Sequence, residues 1–99
     1  SMTPRSNSSS ATTVPRVQTT YTGDANSAKA YIYARESGNN PNATNPNGCY
    51  GLGQDCNGVL RAQCGADYAC QDAYFDGYAT RRYGSWEGAL NFWQNNGWW

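Results

Sequence analysis

Apolar residues recur with helical spacing in four stretches of the chain, and the first stretch is parted from the second by a long interval with no such pattern. In DANSAKAYIYARES, residues 24–37, Ala28, Ile32 and the Arg35/Glu36 position follow the i, i+4 spacing of one helix face, and Asp24 stands where an N-cap belongs. Ser37-Gly38 ends that helix. NGVLRAQC predicts a short second helix. Asp67 caps a longer third one through DYACQDAYFDGYATRRY, where Gln71, Tyr74, Tyr78 and Arg82 make one stripe and Cys70, Ala73 and Gly77 its neighbour. Ser85 opens the last, SWEGALNFWQNNG, with Trp86, Leu90 and Trp93 at i, i+4 and i+7 and Gly97 as its stop. Tryptophans at that spacing predict core packing. The expected fold class is mainly α.

The interval after the first helix is turn chemistry. GNNPNATNPNG, residues 38–48, carries two Asn-Pro-Asn units that forbid a regular helix. CYGLGQD follows, with Gly51 and Gly53 bracketing Leu52, as expected where the backbone turns tightly or comes close to a ligand. Before the first helix, residues 1–23 are rich in Ser, Thr and Pro and lack a periodic apolar pattern, which predicts a flexible tail or linker ahead of a domain at 24–99.

Charge and composition narrow the partners. The formal net charge is zero, and the tail holds Arg5 and Arg16, leaving Lys29 and four arginines against all seven acids. The basic excess that phosphate binding requires is missing, so nucleic acid is not an expected partner. The apolar content is concentrated in eight Tyr, four Trp and two Phe, whose polar tips suit a groove. No apolar run approaches the roughly 18 to 20 residues that span a bilayer, so membrane insertion is not expected. No secretion signal opens the chain, and Ser1-Met2 resembles an expression scar, as expected of a mature or trimmed form.

Cys49, Cys56, Cys64 and Cys70 follow C-x6-C-x7-C-x5-C, without a CxxC pair and in a chain without histidine. That ligand arithmetic points to two disulfides rather than zinc, and no metal is expected. A domain this small commonly needs such cross-links. Three connectivities are open, with a lean to Cys49 with Cys56 and Cys64 with Cys70. Two bridges imply an oxidising compartment and hence secretion.

Glu36 is the candidate for chemistry. It occupies the last turn of the first helix, where the macrodipole disfavours negative charge, and no other acid lies between it and Asp55. An acid placed so can be tuned to hold a proton near neutral pH. Two-carboxylate glycoside hydrolysis would need a second acid facing it at a set distance, and Asp55 is expected to point elsewhere.

The residues after Glu36 carry a resemblance. Glu36-Ser37-Gly38, Pro41-Asn42-Ala43, Asn45-Pro46-Asn47-Gly48 and Gly51-Leu52-Gly53-Gln54 occur in the order and spacing that resemble the E-S-x-x-x-P-x-A-x-S-P-x-G-A-x-G-L-M-Q signature of soluble lytic transglycosylases. RRYGSWEGALNFWQNNGWW, residues 81–99, is similar to the ending of small secreted lysozyme-like proteins related to aggregation-promoting and resuscitation-promoting factors. Asn45 stands where the signature has Ser and Gly53 where it has Met. The A-Y-N-A-G motif of longer transglycosylases is absent, so their second cleft wall does not carry over.

The resemblance implies a small lysozyme-like domain of helices around a catalytic loop or short hairpin. It implies that Glu36 protonates the oxygen between N-acetylmuramic acid and N-acetylglucosamine, then takes a proton from the C6 hydroxyl to leave a 1,6-anhydro end, with no metal or cofactor. By the same resemblance Ser37 and Gln54 border the acid, the Gly51-Leu52-Gly53 backbone offers amides to an N-acetyl arm, and Asn45 replaces a serine nearby. Tyr50 and Tyr78 supply either sugar-facing rings or packing beneath the loop. Peptidoglycan strands are the implied partner and the bacterial cell exterior the implied location. The other readings are a hydrolytic muramidase and a peptidoglycan-binding or surface-aggregation module without turnover.

Overall fold

The structure is a computed structural model that describes residues 22–99. The tail reading therefore lies outside the described residues, save for Thr22 and Gly23. Four helices follow in order: α1 (Ala25–Ser37), α2 (Val59–Cys64), α3 (Tyr68–Tyr83) and α4 (Trp86–Asn96). No strand forms among the described residues. The interval between α1 and α2 is a loop pinned by two isolated antiparallel bridges, Thr44 with Tyr50 and Tyr50 with Asp55, where a short hairpin was one expectation.

Local chemistry sets the helix ends. Asp24 accepts the Ser27 amide at 2.7 Å in a capping box, Asp67 the Cys70 amide at 2.8 Å, and Ser85 the Gly88 amide at 2.9 Å. α2 has no side-chain cap at Gly58; the carboxylate of Asp55 instead accepts the Leu60 amide at 2.9 Å and the Asn57 amide at 3.2 Å. Asp55, buried, is thus spent on starting α2.

α4 packs on α1 and α3, and α2 packs on α3. The inward face of α3 is Gln71, Phe75, Tyr78 and Ala79, rotated from the expected Gln71, Tyr74, Tyr78, Arg82 stripe. Phe75 takes the buried position and Arg82 stays in solvent, as their polarity requires. Trp86 and Leu90 join the core as expected. Its largest fully buried side chain is Trp99, beyond α4, ringed by Tyr78, Trp86 and Phe75 with centroids 5.0, 5.3 and 5.7 Å away.

α1 is seated on α3 by a polar network. Lys29 bridges Asp72 at 3.0 Å and Asp76 at 3.2 Å, the Tyr33 hydroxyl donates to Asp72 at 2.7 Å, and the Trp86 indole donates to Asp76 at 2.8 Å. Burial pulls the Lys29 ammonium down, but its bonds to the two aspartates outweigh that and hold it above the ordinary lysine range. Burial, aided by Asp72, pushes the Tyr33 phenol far above its usual range.

The disulfides are Cys49–Cys56, closing the loop on itself, and Cys64–Cys70, joining α2 to α3; this is the pairing toward which the sequence leaned. Gly53 shows how tightly the loop meets the core. A Cβ there would lie 2.7 Å from both the Phe75 and the Trp99 rings, so the volume that a methionine would fill is already occupied by aromatic carbon. Gly53→Ala should therefore cost about 1–3 kcal/mol, the usual range for overpacking. An unchanged denaturation midpoint would show that the loop does not press on those rings.

Candidate active site

Glu36 is placed by the way α1 ends. Gly38 closes the helix in the left-handed conformation, at φ 66°, returning its amide to the Ala34 carbonyl at 3.1 Å while Asn39 bonds Tyr33 at 3.1 Å. This termination leaves Glu36 and Ser37 on inward faces, both fully buried. The Glu36 carboxyl meets α4, where Oε2 accepts the Trp93 indole N–H at 2.6 Å. Trp93 is half-buried, and its ring packs edge-on against Tyr31 at 6.1 Å. The core role expected for Trp93 is accordingly only part of what it does: its polar tip lies on the acid.

Ser37 ties the helix end to the loop, its hydroxyl donating to the Leu52 carbonyl at 2.9 Å. Asn45 closes the second Asn-Pro-Asn turn, its Oδ1 accepting the amides of Asn47 at 2.9 Å and Cys49 at 3.0 Å. Gln54 holds a left-handed conformation at φ 61°, unusual outside glycine. Its side-chain amide compensates by donating to the carbonyls of Gly51 at 2.8 Å and Ala43 at 3.1 Å. These signature residues build the loop that follows Glu36 in the chain.

The loop is fastened from α3 by Gln71, which sequence reading placed on a stripe without a role. Gln71 is fully buried; its Oε1 accepts the Leu52 amide at 2.9 Å and its Nε2 lies 2.9 Å from the Pro41 carbonyl and 2.7 Å from that of Gly65. Gly51, at φ 86°, leaves room for this: a Cβ would sit 2.7 Å from Gln71 Oε1. The Gly51 and Leu52 amides expected to face an N-acetyl arm are directed instead to the Ala43 carbonyl and to Gln71, so a sugar would reach them only by displacing those partners.

The two tyrosines are both buried. Tyr50 is buried under the Arg61 guanidinium, 4.0 Å from its ring centroid, and Tyr78 donates its hydroxyl to the Trp99 carbonyl at 2.8 Å within the core. A cleft of about 250 Å³ opens on another side of α1, lined among others by Lys29, Tyr33, Asn39, Tyr68 and Asp72, but not by Glu36. Among the described residues no three His, Cys, Asp or Glu side chains gather as metal ligands, and no helix is long and apolar enough to cross a membrane.

The remaining acids have other duties. Asp24 and Asp67 cap helices, Asp55 starts α2, Asp72 and Asp76 hold Lys29, and Glu87 is exposed on the first turn of α4. Glu36 is the acid that joins α1 to α4 beside the signature loop.

Comparison with known proteins finds curated relatives of part of the chain. The chain is 40% identical over 77 residues to a probable transglycosylase IsaA from Staphylococcus haemolyticus, covering 78% of this chain and 31% of that protein. It is 40% identical over 68 residues to a probable transglycosylase IsaA from Staphylococcus xylosus, covering 69% of this chain and 26% of that protein. The chain therefore spans less than a third of the length of these curated relatives. No protein-family model matches it, and neither does a solved structure. The likeness supports a lytic transglycosylase-like domain.

The role of Gln71 is testable. Gln71→Leu leaves the buried Leu52 amide and the half-buried Pro41 and Gly65 carbonyls without this partner and should lower stability by about 2 kcal/mol or more. It should also speed hydrogen exchange at the Leu52 amide beyond the global effect. Unchanged protection of Leu52 would show that the loop is held by something else.

Proposed function

We propose that this domain cleaves the glycan strands of bacterial peptidoglycan by lytic transglycosylation, with Glu36 as both acid and base. The observation that carries the reading is the disposition of the acids: of the two fully buried carboxyls, Glu36 at the end of α1 and Asp55 at the end of the loop, Asp55 is bound to the amides that start α2, and every other acid is an exposed residue, a cap or an ion-pair partner. Two-carboxylate hydrolysis needs a second carboxyl on the opposite side of the scissile bond, and Asp55 is bound to the start of α2. A single acid suffices when the second nucleophile comes from the substrate.

In the proposed cycle Glu36 gives its proton to the oxygen between N-acetylmuramic acid and N-acetylglucosamine, and the bond from that oxygen to the muramic C1 breaks. The 2-acetamido group shelters the cationic carbon. The C6 hydroxyl then bonds to C1 and returns its proton to Glu36, so the enzyme ends as it began. Removal from water favours the neutral form of a carboxyl, the form a general acid requires. Because Glu36 is fully buried, productive binding must also uncover its carboxyl.

The relatives' names support the transglycosylase class, and the two disulfides fit a site of action outside the cell. Ser37, Asn45 and Gln54 serve the reaction by shaping the loop around Glu36.

Glu36→Gln should keep the fold and glycan binding yet lower turnover by at least about a hundredfold, the usual worth of general acid catalysis. Mass spectrometry of wall digests should find muropeptide ends one water lighter than reducing ends. Reducing ends alone would make the domain a hydrolytic muramidase. Retained pull-down of cell walls without any cleavage would make it a binding module.

A further inference from the structure

Resting on the reading of Glu36 as the acid, the contact between α1 and α4 assigns a role to a residue that neither the signature nor the relatives single out. An indole N–H is a donor only, and that of Trp93 lies 2.6 Å from Glu36 Oε2. A proton on Oε2 aimed along that line would collide with the indole hydrogen. A carbonyl oxygen is also a stronger acceptor than a carboxyl hydroxyl, so in the neutral acid the indole favours Oε2 as the carbonyl oxygen. We infer that Trp93 is a positioning residue for the reaction: its indole fixes the rotation of the Glu36 carboxyl and reserves Oε2, so that the proton to be delivered is carried on Oε1.

The consequence runs through the whole cycle. When Oε1 gives its proton to the bridging oxygen, the C1–O bond breaks, its electron pair stays on the leaving sugar, and the carboxylate formed already has a donor on Oε2. When the C6 hydroxyl later surrenders its proton, Oε2 is occupied and the proton returns to Oε1. Hydrogen bonds to charged groups are stronger than neutral ones, so the contact strengthens as negative charge develops. Binding stronger in the transition state than in the ground state is what raises turnover.

Trp93 is held for this task. It sits on α4, whose Ser85 cap and Trp86 and Leu90 anchors fix the helix on α1 and α3, and its ring meets Tyr31, whose hydroxyl accepts from Arg35 at 3.1 Å. A phenylalanine can keep the edge-on contact with Tyr31 while removing the N–H.

Two measurements on the whole domain test the assignment. In the wild type, the indole proton resonance that disappears in Trp93→Phe should follow one titration, and in Glu36→Gln it should be flat; a resonance equally pH-dependent in Glu36→Gln would overturn the contact. In steady-state cleavage of peptidoglycan strands, Trp93→Phe should lose about tenfold in kcat with KM within about twofold, since the group acts on the developing charge rather than on glycan binding. An unchanged or raised kcat, or a loss confined to KM, would overturn the assignment and leave Trp93 a mere cover over the acid. Full activity in Glu36→Gln would instead remove the acid assignment, while the titration still reports whether the indole senses Glu36.

Discussion

The buried amide of Gln71 is the fastening on which the rest depends. The loop from Gly38 to Asp55 is made largely of Asn, Gly and Pro, which bury little apolar surface and cannot hold a shape by hydrophobic contact. From α3 a single side chain reaches both ends of it, through Pro41 and Leu52, and ties them to Gly65 at the end of α2. An uncharged amide can donate and accept at once, so it satisfies backbone groups of both kinds without bringing a charge into the interior. Ser37 performs the matching task from α1, and between them Leu52 is held at its amide by one helix and at its carbonyl by the other.

The end of the chain supplies the other wall of that arrangement. Trp99 lies fully buried beneath the loop, with its indole donating to the Gly53 carbonyl at 3.0 Å and its own carbonyl accepting from Tyr78. The departure at Gly53 and the tryptophan-rich ending are therefore one feature: the glycine leaves the space that the ring enters. The Cys49–Cys56 bridge fixes the remaining side of the loop, whose backbone is joined by isolated bridges and turn hydrogen bonds rather than by a strand.

Much of this was legible because it is local. Asp24, Asp67 and Ser85 announce their helices by chemistry complete within three residues, and the order of Pro, Asn and Gly after Glu36 marks the loop. The contacts that assemble the site are of another kind. Trp93 and Glu36 are 57 residues apart, Trp99 and Gly53 46 apart, Gln71 and Pro41 30 apart. Periodicity put Trp93 on the same stripe as Trp86 and Leu90, which says that it points inward but not which acceptor its N–H will find. The stripe of α3 was read one sector away because Tyr74 and Phe75 are both aromatic, and only packing decides that Phe75 goes fully inside while Tyr74 remains at the edge. For Tyr50 and Tyr78, amphipathic rings that serve groove or core, burial came from packing partners that no local pattern names.

The chemistry proposed for Glu36 asks one group to give a proton and later take one back, and its surroundings act in opposed directions. Burial disfavours the ionised carboxyl, whereas an indole N–H on one oxygen favours it. A site with burial alone would hold the proton too firmly to give it, and one with strong cationic pairing would lose it before a glycan arrived. A neutral donor opposite a buried acid is a balance suited to a carboxyl that works twice in each turnover.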